Sequence, residues 1–437
     1  MQNQYFTAVV GAGPAGLFGA RELASKGARV ALFNRDIKPG GLAEYGIYFT
    51  KHAMKEGLRR QFRSALSSPN IDYYGNVTVG AQGDLSLDDL RALGFQAILV
   101  TVGAQGTKWL GLPGEHLTGV YHAKDVVYFY NGLPAFAQKD FRFGRRCAVV
   151  GAGNVMVDVS RYLIHEQKVD EVIAVVRRGP AEVKFDKKEM ESIIANVDLA
   201  ALDAELARAT PIMQAVGQDP ETAREKILEA LPRAEPKVSE TKFRFEFLAS
   251  PTQMLGDADG NLTQLEIEDN SLALKDGETK ARGTGNKRLL DVETVIFAIG
   301  DKVDENFGLP VEWNEFVKSR EPRFPIDGVN FESTMEGIFV GGWARKASEG
   351  LVGYARKDGI NASKAVWQYL QTLSPANADA DALAAKMRGL DKPVVTNEDI
   401  KRLEAAEAEE AQKRGLQEFK FNNNEDMLNA MGLAVRV

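Results

Sequence analysis

Two glycine-rich turns are the parts of this sequence whose residue types and spacing could do chemistry. In GAGPAG, Gly11 permits a tight turn, Gly13 lets the main chain approach a pyrophosphate, and Gly16 lets a helix pack closely on a strand. A phosphate would bind at the N-terminus of the helix that starts at Pro14 and continues through Ala15, where main-chain N–H groups lack partners. An ordinary strand-to-helix turn is the alternative interpretation.

The second turn lies about 140 residues further along the chain. It reads GAGNVM, so that Gly151 and Gly153 repeat the first two glycines while Asn154, Val155 and Met156 follow them. One such turn is a weak signal. Two turns in one chain, each between an apolar run and a helix-like run, predict two dinucleotide sites.

Each glycine turn is followed by a helix and then a second strand, and the residues at the end of that second strand distinguish the two nucleotides. An acid that binds the adenosine ribose is usual there, but the first unit has Asn34 and Arg35, and the second has Arg177 and Arg178. Asparagine can still bond a hydroxyl group, as donor or acceptor. Two guanidinium groups suit the 2′-phosphate of NADP, which they can bind in a bidentate manner. Two solvated loop arginines are the alternative.

Further glycines favour FAD as the first nucleotide. The stretch KPGGLAEYGI contains Gly41, Leu42 and Tyr45, and its glycines let the main chain approach a bulky ligand. A long helix is predicted to begin near Gly350, and its N-terminus could face the pyrimidine end of a flavin. NADPH would then deliver hydride to FAD, which can release electrons singly.

The elements that must position these residues predict an α/β fold. Each glycine turn lies between two strand-like runs, as in a Rossmann βαβ unit. FQAILVTVGAQG and ETVIFAIGD are two further apolar strands that resemble crossing points between domains, and GIFVGGWAR reads as a returning strand. We therefore expect a discontinuous FAD-binding domain, residues 1–103 and 300–437, with an NADP-binding domain, residues 104–299, inserted into it.

Composition excludes several kinds of chemistry. The formal charge of −7 argues against a nucleic-acid binder, and four histidines with one cysteine make a dedicated zinc site an unfavourable interpretation. Cys147 alone cannot support disulfide exchange or an iron–sulfur cluster. It is expected to be a small buried side chain. No leader and no membrane-length apolar run is visible, so a cytoplasmic location is expected.

Two stretches carry no assigned chemistry. Residues 198–235 are helix-like and charged, without a strand pattern. NEDIKRLEAAEAEEAQKRG, residues 397–415, reads as a solvated helix.

Several longer motifs resemble a known family. They are GAGPAGLFGARELA, GGLAEYGI, YYGNVTVG, YNGLP, VVGAGNVMVDVSR, VVRRGPAEVKFDKKE, GGWARKASEGLVG and NNNEDMLNAMGL. Together they resemble adrenodoxin reductase and its bacterial relatives, the FAD-dependent ferredoxin-NADP reductases. The similarity extends over nearly the whole chain.

The resemblance implies roles for individual residues. The FAD-binding set would comprise Gly11, Gly13, Pro14, Ala15, Gly16, Asn34, Arg35, Gly41, Leu42, Tyr45, Val79, Gly103, Gly342, Trp343, Gly350, Leu351 and Val352. Gly151, Gly153, Asn154 and Val155 would hold the NADP pyrophosphate, Arg177 and Arg178 its 2′-phosphate. Glu189 and Gly350 would contact the nicotinamide end.

The resemblance also implies a group of residues that tune hydride transfer. Asp158 matches a family carboxylate with a histidine partner, for which His52 is the candidate; without a one-residue insertion Lys51 takes that place. Glu189 and Trp343 complete the group, and Trp343 stands where the wider flavoprotein group has an aspartate. Hydride transfer needs no general base, so we expect tuning rather than acid–base chemistry. A structural role for Asp158 is the alternative.

The partner surface departs from the family pattern. Glu191 occupies a position where the family has an arginine that docks an acidic iron–sulfur protein. Lys55, Arg59 and Arg63 recur at helical spacing and could form a substitute basic face, which together with Lys184, Lys187 and Lys188 could receive an acidic ferredoxin. Solvated side chains are the alternative interpretation of both groups.

The sequence thus predicts an FAD-dependent oxidoreductase that moves electrons between NADPH and a small carrier such as ferredoxin or flavodoxin. One alternative is an electron-input subunit of a larger complex, similar to the glutamate synthase small subunit. Another is a flavin-binding scaffold without turnover.

Overall fold

The computed structural model describes residues 5–376 and 379–433. In that part of the chain the strands, in chain order, are β1 Tyr5–Val10, β2 Ala28–Asn34, β3 Ile71–Gly75, β4 Ala97–Val100, β5 Gly106–Thr107, β6 Val120–His122, β7 Arg146–Val150, β8 Glu171–Val175, β9 Lys242–Glu246, β10 Ala249–Gly256, β11 Leu262–Lys275, β12 Glu278–Asp291, β13 Thr294–Phe297, β14 Asp301–Lys302, β15 Val311–Glu312, β16 Glu315–Phe316 and β17 Ile338–Val340.

Helices alternate with these strands. In the same described ranges they are α1 Pro14–Ser25, α2 Leu42–Tyr45, α3 His52–Leu66, α4 Leu87–Ala92, α5 Ala123–Tyr130, α6 Pro134–Ala137, α7 Asn154–Tyr162, α8 Lys187–Met190, α9 Leu199–Gln214, α10 Pro220–Leu228, α11 Val352–Leu370, α12 Ala380–Arg388, α13 Asn397–Arg414 and α14 Asn424–Met431. Single turns of 3₁₀-helix lie at Pro180–Glu182, Ile194–Asn196, Leu231–Arg233 and Gly342–Ala344, and a π-helical turn, Leu163–Gln167, extends α7.

The chain divides into two compact units. The first unit contains residues 1–107, 128–139 and 300–437, and the second contains residues 108–127 and 140–299.

The first unit is built on a five-stranded sheet in the order β17-β4-β1-β2-β3, and all of its pairings are parallel. Strand β1 is at its centre and is buried along its whole length. Alternate residues enter two different apolar clusters: Tyr5 and Val9 lie in one, Phe6 and Val10 in the other. A parallel sheet covered on both faces explains why the strand reads as a continuous apolar run.

The second unit repeats this arrangement. Its five-stranded sheet has the order β6-β13-β7-β8-β9, again with parallel pairings throughout. Strand β7 is central, as β1 is in the first unit, and the second glycine turn follows it. An antiparallel sheet of β10, β11 and β12 adjoins this core, with an irregularity in register between Glu268 and Asn270.

The predicted fold class is confirmed, since both units contain a parallel sheet with a glycine turn after the central strand. The local predictions at the turns also hold, because α1 begins at Pro14 and α7 begins at Asn154. No helix in residues 5–376 or 379–433 combines the length and the apolar character needed to cross a membrane.

The prediction for residues 397–415 as a solvated helix is wrong in part. The helix exists as α13 and starts with a capping box between Thr396 and Asp399, but Ile400, Leu403 and Glu407 are buried. The buried face of α13 could not be predicted from its charged composition, because a buried glutamate and a solvated one look the same in a sequence.

Candidate nucleotide-binding sites

The two glycine turns have the same construction. Gly11 has φ of 102°, its N–H donates to the Phe33 carbonyl at 2.8 Å, and a Cβ there would lie 2.6 Å from the Thr101 carbonyl oxygen. Gly151 has φ of 152°, donates to the Val175 carbonyl at 3.0 Å, and a Cβ would lie 2.5 Å from the Ala298 carbonyl oxygen. Only glycine fits such an approach, because a side chain would displace the neighbouring strand end.

The helices that follow these turns have open N-termini. Gly13 before α1, Gly153 before α7 and Leu351 before α11 provide no side-chain cap. In contrast, Asp198 and Thr396 cap α9 and α13 with their side chains. The first main-chain N–H groups of α1, α7 and α11 are thus available to an anion, as a dinucleotide pyrophosphate or a reduced flavin requires.

Several of the predicted FAD residues lie together in the first unit. The Gly40 N–H donates to the Ala12 carbonyl at 2.7 Å, and a Cβ on Gly41, whose φ is 50°, would lie 3.2 Å from the Gly13 Cα. A Cβ on Gly342 would lie 2.8 Å from the Ala15 Cβ. Main chain from two distant segments therefore lies close to the first turn, at glycines that leave no room for a side chain of their own.

Asn34 is bonded to the protein instead of being exposed to a ligand. Its Oδ1 accepts from the Ala12 N–H at 3.1 Å, and its Nδ2 donates to the carbonyls of Asp36 at 2.8 Å and Lys38 at 3.0 Å and lies 3.2 Å from the Tyr73 hydroxyl. The amide connects the loop after β2 to the glycine turn. Arg35 is the exposed side chain at this strand end.

The segment before α11 is held by an acid that the sequence analysis missed. Asp358 accepts the Gly342 N–H at 2.6 Å and binds the Arg345 guanidinium, with its shortest contact 2.6 Å. The Trp343 indole N–H donates to the Glu349 carbonyl at 2.9 Å. Asp358 is the only acid within α11, and this is the signal that could have indicated its role.

The other predicted FAD residues have varied surroundings within the first unit. Tyr45 and Val79 are buried, Trp343 and Val352 are partly exposed, and Gly350 and Leu351 are exposed. Gly103 has φ of 72°. The roles of these residues in binding FAD stay predictions.

The second turn is fixed by a polar contact of its own. Asn154 Nδ2 donates to the Asp186 carboxylate at 2.6 Å, and the Asp186 N–H donates to Asn154 Oδ1 at 2.7 Å. The Lys184 N–H also donates to the Ala152 carbonyl, at 2.8 Å. Val155 remains exposed on the first turn of α7. Asp158 lies one turn further along α7, and Glu189 lies in α8; both are partly exposed.

Arg177 and Arg178 follow the carboxyl end of β8, in the second unit. Arg177 is exposed and Arg178 is partly exposed. Over residues 5–376 and 379–433 no carboxylate forms an ion pair with either guanidinium, although most other arginines of the unit have such a partner. Two cations without an ion-pair partner among the described residues are suited to a dianionic phosphate.

A network of buried charges lies behind the Gly40–Gly41 loop. Glu44, 3% exposed, binds Arg59 through two contacts of 2.6 and 2.7 Å, and Arg59 also contacts Glu418 at 2.6 Å. Lys38 contacts Glu407 of α13 at 2.6 Å. Burial by itself would raise the pKa of Glu44, but Lys38, Lys420 and Arg59 outweigh it and hold the pKa well below its usual range.

This network overturns the predicted basic face of α3. Lys55 is buried, with its ammonium group donating to Asn131 Oδ1 at 3.1 Å, and Arg59 is neutralised by Glu44 and Glu418. Only Arg63 remains exposed. The helical spacing was right, but Lys55 and Arg59 face the protein interior, where Asn131, Glu44 and Glu418 bind them. Lys184, Lys187 and Lys188 of the second unit are exposed.

His52 has a partner inside the first unit. It begins α3, and its Nδ1 lies 2.7 Å from Glu418 Oε2. His52 is predicted to be the histidine partner of Asp158. That role stays a prediction, and the contact with Glu418 is an addition that sequence spacing could not reveal, because 366 positions separate the two residues.

Lys55 makes the stability of the first unit depend on pH. Burial, with a contribution from Lys420, lowers its pKa to about 7, whereas an unfolded lysine titrates near 10.4. Between these values the unfolded chain binds a proton that the folded chain does not, so stability rises with pH. We expect Lys55→Met to stabilise the protein most at pH 6, and this advantage to shrink by about 2–3 kcal/mol at pH 9.

Denaturant unfolding of both proteins at the two pH values checks this expectation. Lys413→Met, at an exposed lysine of α13, is the control and should show no such change between the two pH values. A constant difference between Lys55→Met and the unsubstituted protein would contradict the expected titration of Lys55.

These features define a class: an α/β protein with two Rossmann-like sheets, each with a glycine turn of the dinucleotide-binding type. Residues 5–201 match the family model described as pyridine nucleotide-disulphide oxidoreductase. The disulfide chemistry in that name is not available to this chain, which has one cysteine. Cys147 lies in β7, and burial raises the pKa of its thiol to about 12.

More specific relatives confirm the resemblance to the adrenodoxin reductase family. The chain is 27% identical to NADPH-ferredoxin reductase FprA of Mycobacterium leprae, over 96% of this chain and 97% of that protein. It is 27% identical to the mitochondrial NADPH:adrenodoxin oxidoreductase of Arabidopsis thaliana, over 79% of this chain and 78% of that protein. The solved structure of FprA, a Mycobacterium tuberculosis oxidoreductase, superposes with a TM-score of 0.82 at 23% identity, covering 98% and 99% of the two chains.

Proposed function

We propose that this protein is an FAD-dependent oxidoreductase that transfers electrons between NADPH and a small one-electron carrier of the ferredoxin type. The observation that carries the proposal is the pair Arg177 and Arg178, exposed and partly exposed, after the strand that the second glycine turn contacts, in a chain whose first turn has the same construction. The relatives named NADPH-ferredoxin reductase and NADPH:adrenodoxin oxidoreductase support it.

The residues of the first unit fit FAD. The open N-terminus of α1 would bind the pyrophosphate, and the glycine segments at 40–41 and 342 leave room for main-chain approach. Asp358 fixes the segment that leads into α11, whose own N-terminus would face the flavin ring. When bound, NADPH and FAD supply the redox chemistry, hydride donation by one and release of single electrons by the other.

The residues of the second unit fit NADPH. The N-terminus of α7 would bind its pyrophosphate, and Arg177 and Arg178 its 2′-phosphate. The proposed domain boundaries remain residues 1–103 with 300–437 for FAD, and 104–299 for NADP. Asp158, His52, Glu189 and Trp343 are proposed to tune the reacting ends.

The carrier is proposed to be a ferredoxin or a similar small acidic protein, which exposed Lys184, Lys187 and Lys188 would attract. A cytoplasmic location is proposed with it.

An anaerobic reduction experiment tests the function. The purified protein is mixed with NADPH or NADH while the flavin absorbance near 450 nm is followed, and a ferredoxin is then added as acceptor. We expect rapid bleaching by NADPH, slow bleaching by NADH, and return of absorbance when the oxidised carrier is added. A yellow protein that NADPH does not bleach would contradict the proposal and favour a flavin-binding scaffold.

A further inference from the structure

The two arginines after β8 belong to a segment whose main chain is bonded on both sides. The Val176 N–H donates to the Glu246 carbonyl at 2.8 Å, and the Val176 carbonyl accepts from the Ala249 N–H at 3.1 Å. Strand-like pairing thus continues beyond Val175, where β8 ends. The chain between Glu246 and Ala249, which connects β9 to β10, therefore lies directly beside the arginine segment.

That connection contains a strained residue. Leu248 is fully buried and has φ of 51°, a conformation that a non-glycine residue rarely adopts. In this conformation its N–H donates to the Arg178 carbonyl at 3.1 Å, while its own carbonyl accepts from the Asn270 N–H at 2.7 Å. The strained turn thus meets Arg178 on one side and Asn270 on the other.

Helix α9 holds the residue before this turn. Glu205 Oε1 accepts the Phe247 N–H at 2.7 Å, and Arg208 donates to the Phe247 carbonyl at 2.6 Å. Glu205 and Arg208 also pair with each other, with a contact of 2.7 Å. One ion pair therefore fixes both main-chain groups of Phe247, so that the strain at Leu248 is maintained by the surrounding structure.

Asn270 completes the support of the arginine segment. It is 3% exposed and lies at the irregularity in β11, where the register shifts between Glu268 and Asn270. Its Nδ2 donates to the Arg177 carbonyl and to Ser250 Oγ, each at 2.8 Å. Both donor positions of a buried amide are thus used, and one of them holds the main chain of an arginine whose side chain is exposed.

We propose that Asn270 is a positioning residue that sets the preference of this protein for NADPH over NADH. The inference rests on the proposed function and deepens it. With the carbonyls of Arg177 and Arg178 both bonded, the two guanidinium groups project from a fixed main chain and bind a 2′-phosphate without first ordering the loop. The effect concerns the phosphate alone, because the rest of the nucleotide binds at the glycine turn.

The test is Asn270→Ala, measured by calorimetric binding of adenosine 2′,5′-bisphosphate and of 5′-AMP, which differ in the 2′-phosphate. We expect about tenfold weaker binding of the bisphosphate and a change of less than about twofold for 5′-AMP. In steady-state assays, KM for NADPH should rise by a similar factor while kcat stays the same and NADH kinetics hardly change. Asn270→Ser, which keeps one donor, gives the same comparison if the alanine variant folds poorly.

Asn196→Ala is the matched control. Asn196 is also buried in the second unit, 5% exposed, and its Nδ2 donates to the carbonyls of Ser239 at 3.1 Å and Thr241 at 2.8 Å. Asn196→Ala should lower thermal stability about as much as Asn270→Ala does. It should leave the ratio of the affinities for the bisphosphate and for 5′-AMP unchanged.

Four results would overturn the proposal. Equal weakening of both ligands by Asn270→Ala would mean a general structural role, and an equal change of ratio in Asn196→Ala would mean the same. Unchanged binding of both ligands in the Asn270 variants, with an unsubstituted protein that does discriminate, would remove the positioning role alone. An unsubstituted protein that does not discriminate would remove the assignment of the two arginines as well, and bleaching by NADPH would then show separately whether the proposed reductase activity stands.

Discussion

Replacing both arginines, as Arg177→Ala/Arg178→Ala, should raise the dissociation constant for NADPH by at least about 100-fold and leave that for NADH almost unchanged. Each charge-assisted contact to a phosphate is worth more than a neutral hydrogen bond. Among the described residues no carboxylate forms an ion pair with either guanidinium group, in contrast to Arg244 and Arg288 of the same unit. The phosphate of the cofactor would therefore lose both of its strong partners. The measurement is the loss of flavin absorbance as the concentration of NADPH, and separately of NADH, is raised.

A control with the same loss of charge separates this local effect from the general field of the protein. Arg145→Ala/Lys242→Ala removes two cations at the amino ends of β7 and β9, the opposite edge of the sheet from Arg177. This variant should keep its preference for NADPH. A double-arginine variant that still prefers NADPH by the original factor would show that the 2′-phosphate is bound elsewhere.

Glu44→Gln should lower the free energy of unfolding of the first unit by about 3–5 kcal/mol. The substitution changes shape very little but removes the negative charge that faces Arg59, Lys38 and Lys420. Two carboxylates, Glu407 and Glu418, would then face three buried or half-buried cations. An uncompensated charge inside a protein costs far more than a lost surface pair.

Denaturant unfolding measures this cost, and two further variants test its origin. Glu398→Gln removes an exposed partner of Lys401 on α13 and should cost less than about 1 kcal/mol. Glu44→Gln/Lys420→Met restores the balance of charge and should recover part of the loss. A cost for Glu44→Gln no greater than that for Glu398→Gln would show that the network does not stabilise the fold.

Features with local causes could be predicted from the sequence. The glycine turns are examples, because the spacing of Gly11 and Gly151 between a strand-like and a helix-like run is visible within one βαβ unit. The continuous apolar strands are another, since a parallel sheet buried on both faces needs such runs. The Arg177–Arg178 pair was recognisable because it stands where a ribose-binding acid is usual.

Features that depend on distant partners could not be predicted. Lys55 and Arg59 have the spacing of an exposed basic stripe, but one of the two acids that bind Arg59, Glu418, is 359 positions away. Asn34 bonds main-chain groups through both ends of its amide, which its position after a strand does not reveal, and its role at the ribose stays a prediction. Asn270 gave no sequence signal, because its role arises only where an irregular strand meets the Arg177 carbonyl.

The contact between Lys38 and Glu407 has a consequence for how the chain matures on the ribosome. These residues are 369 positions apart, and the sheet of the first unit also needs β17 to complete its edge beside β4. The first unit thus depends on residues that are synthesised last, whereas every strand of the second unit is made before residue 300. Since domains generally fold as units during synthesis, the inserted unit can finish folding while the N-terminal strands still wait for their partners. Early termination after residue 300 would therefore release a folded second unit joined to an unfinished first unit, a natural substrate for quality-control proteases.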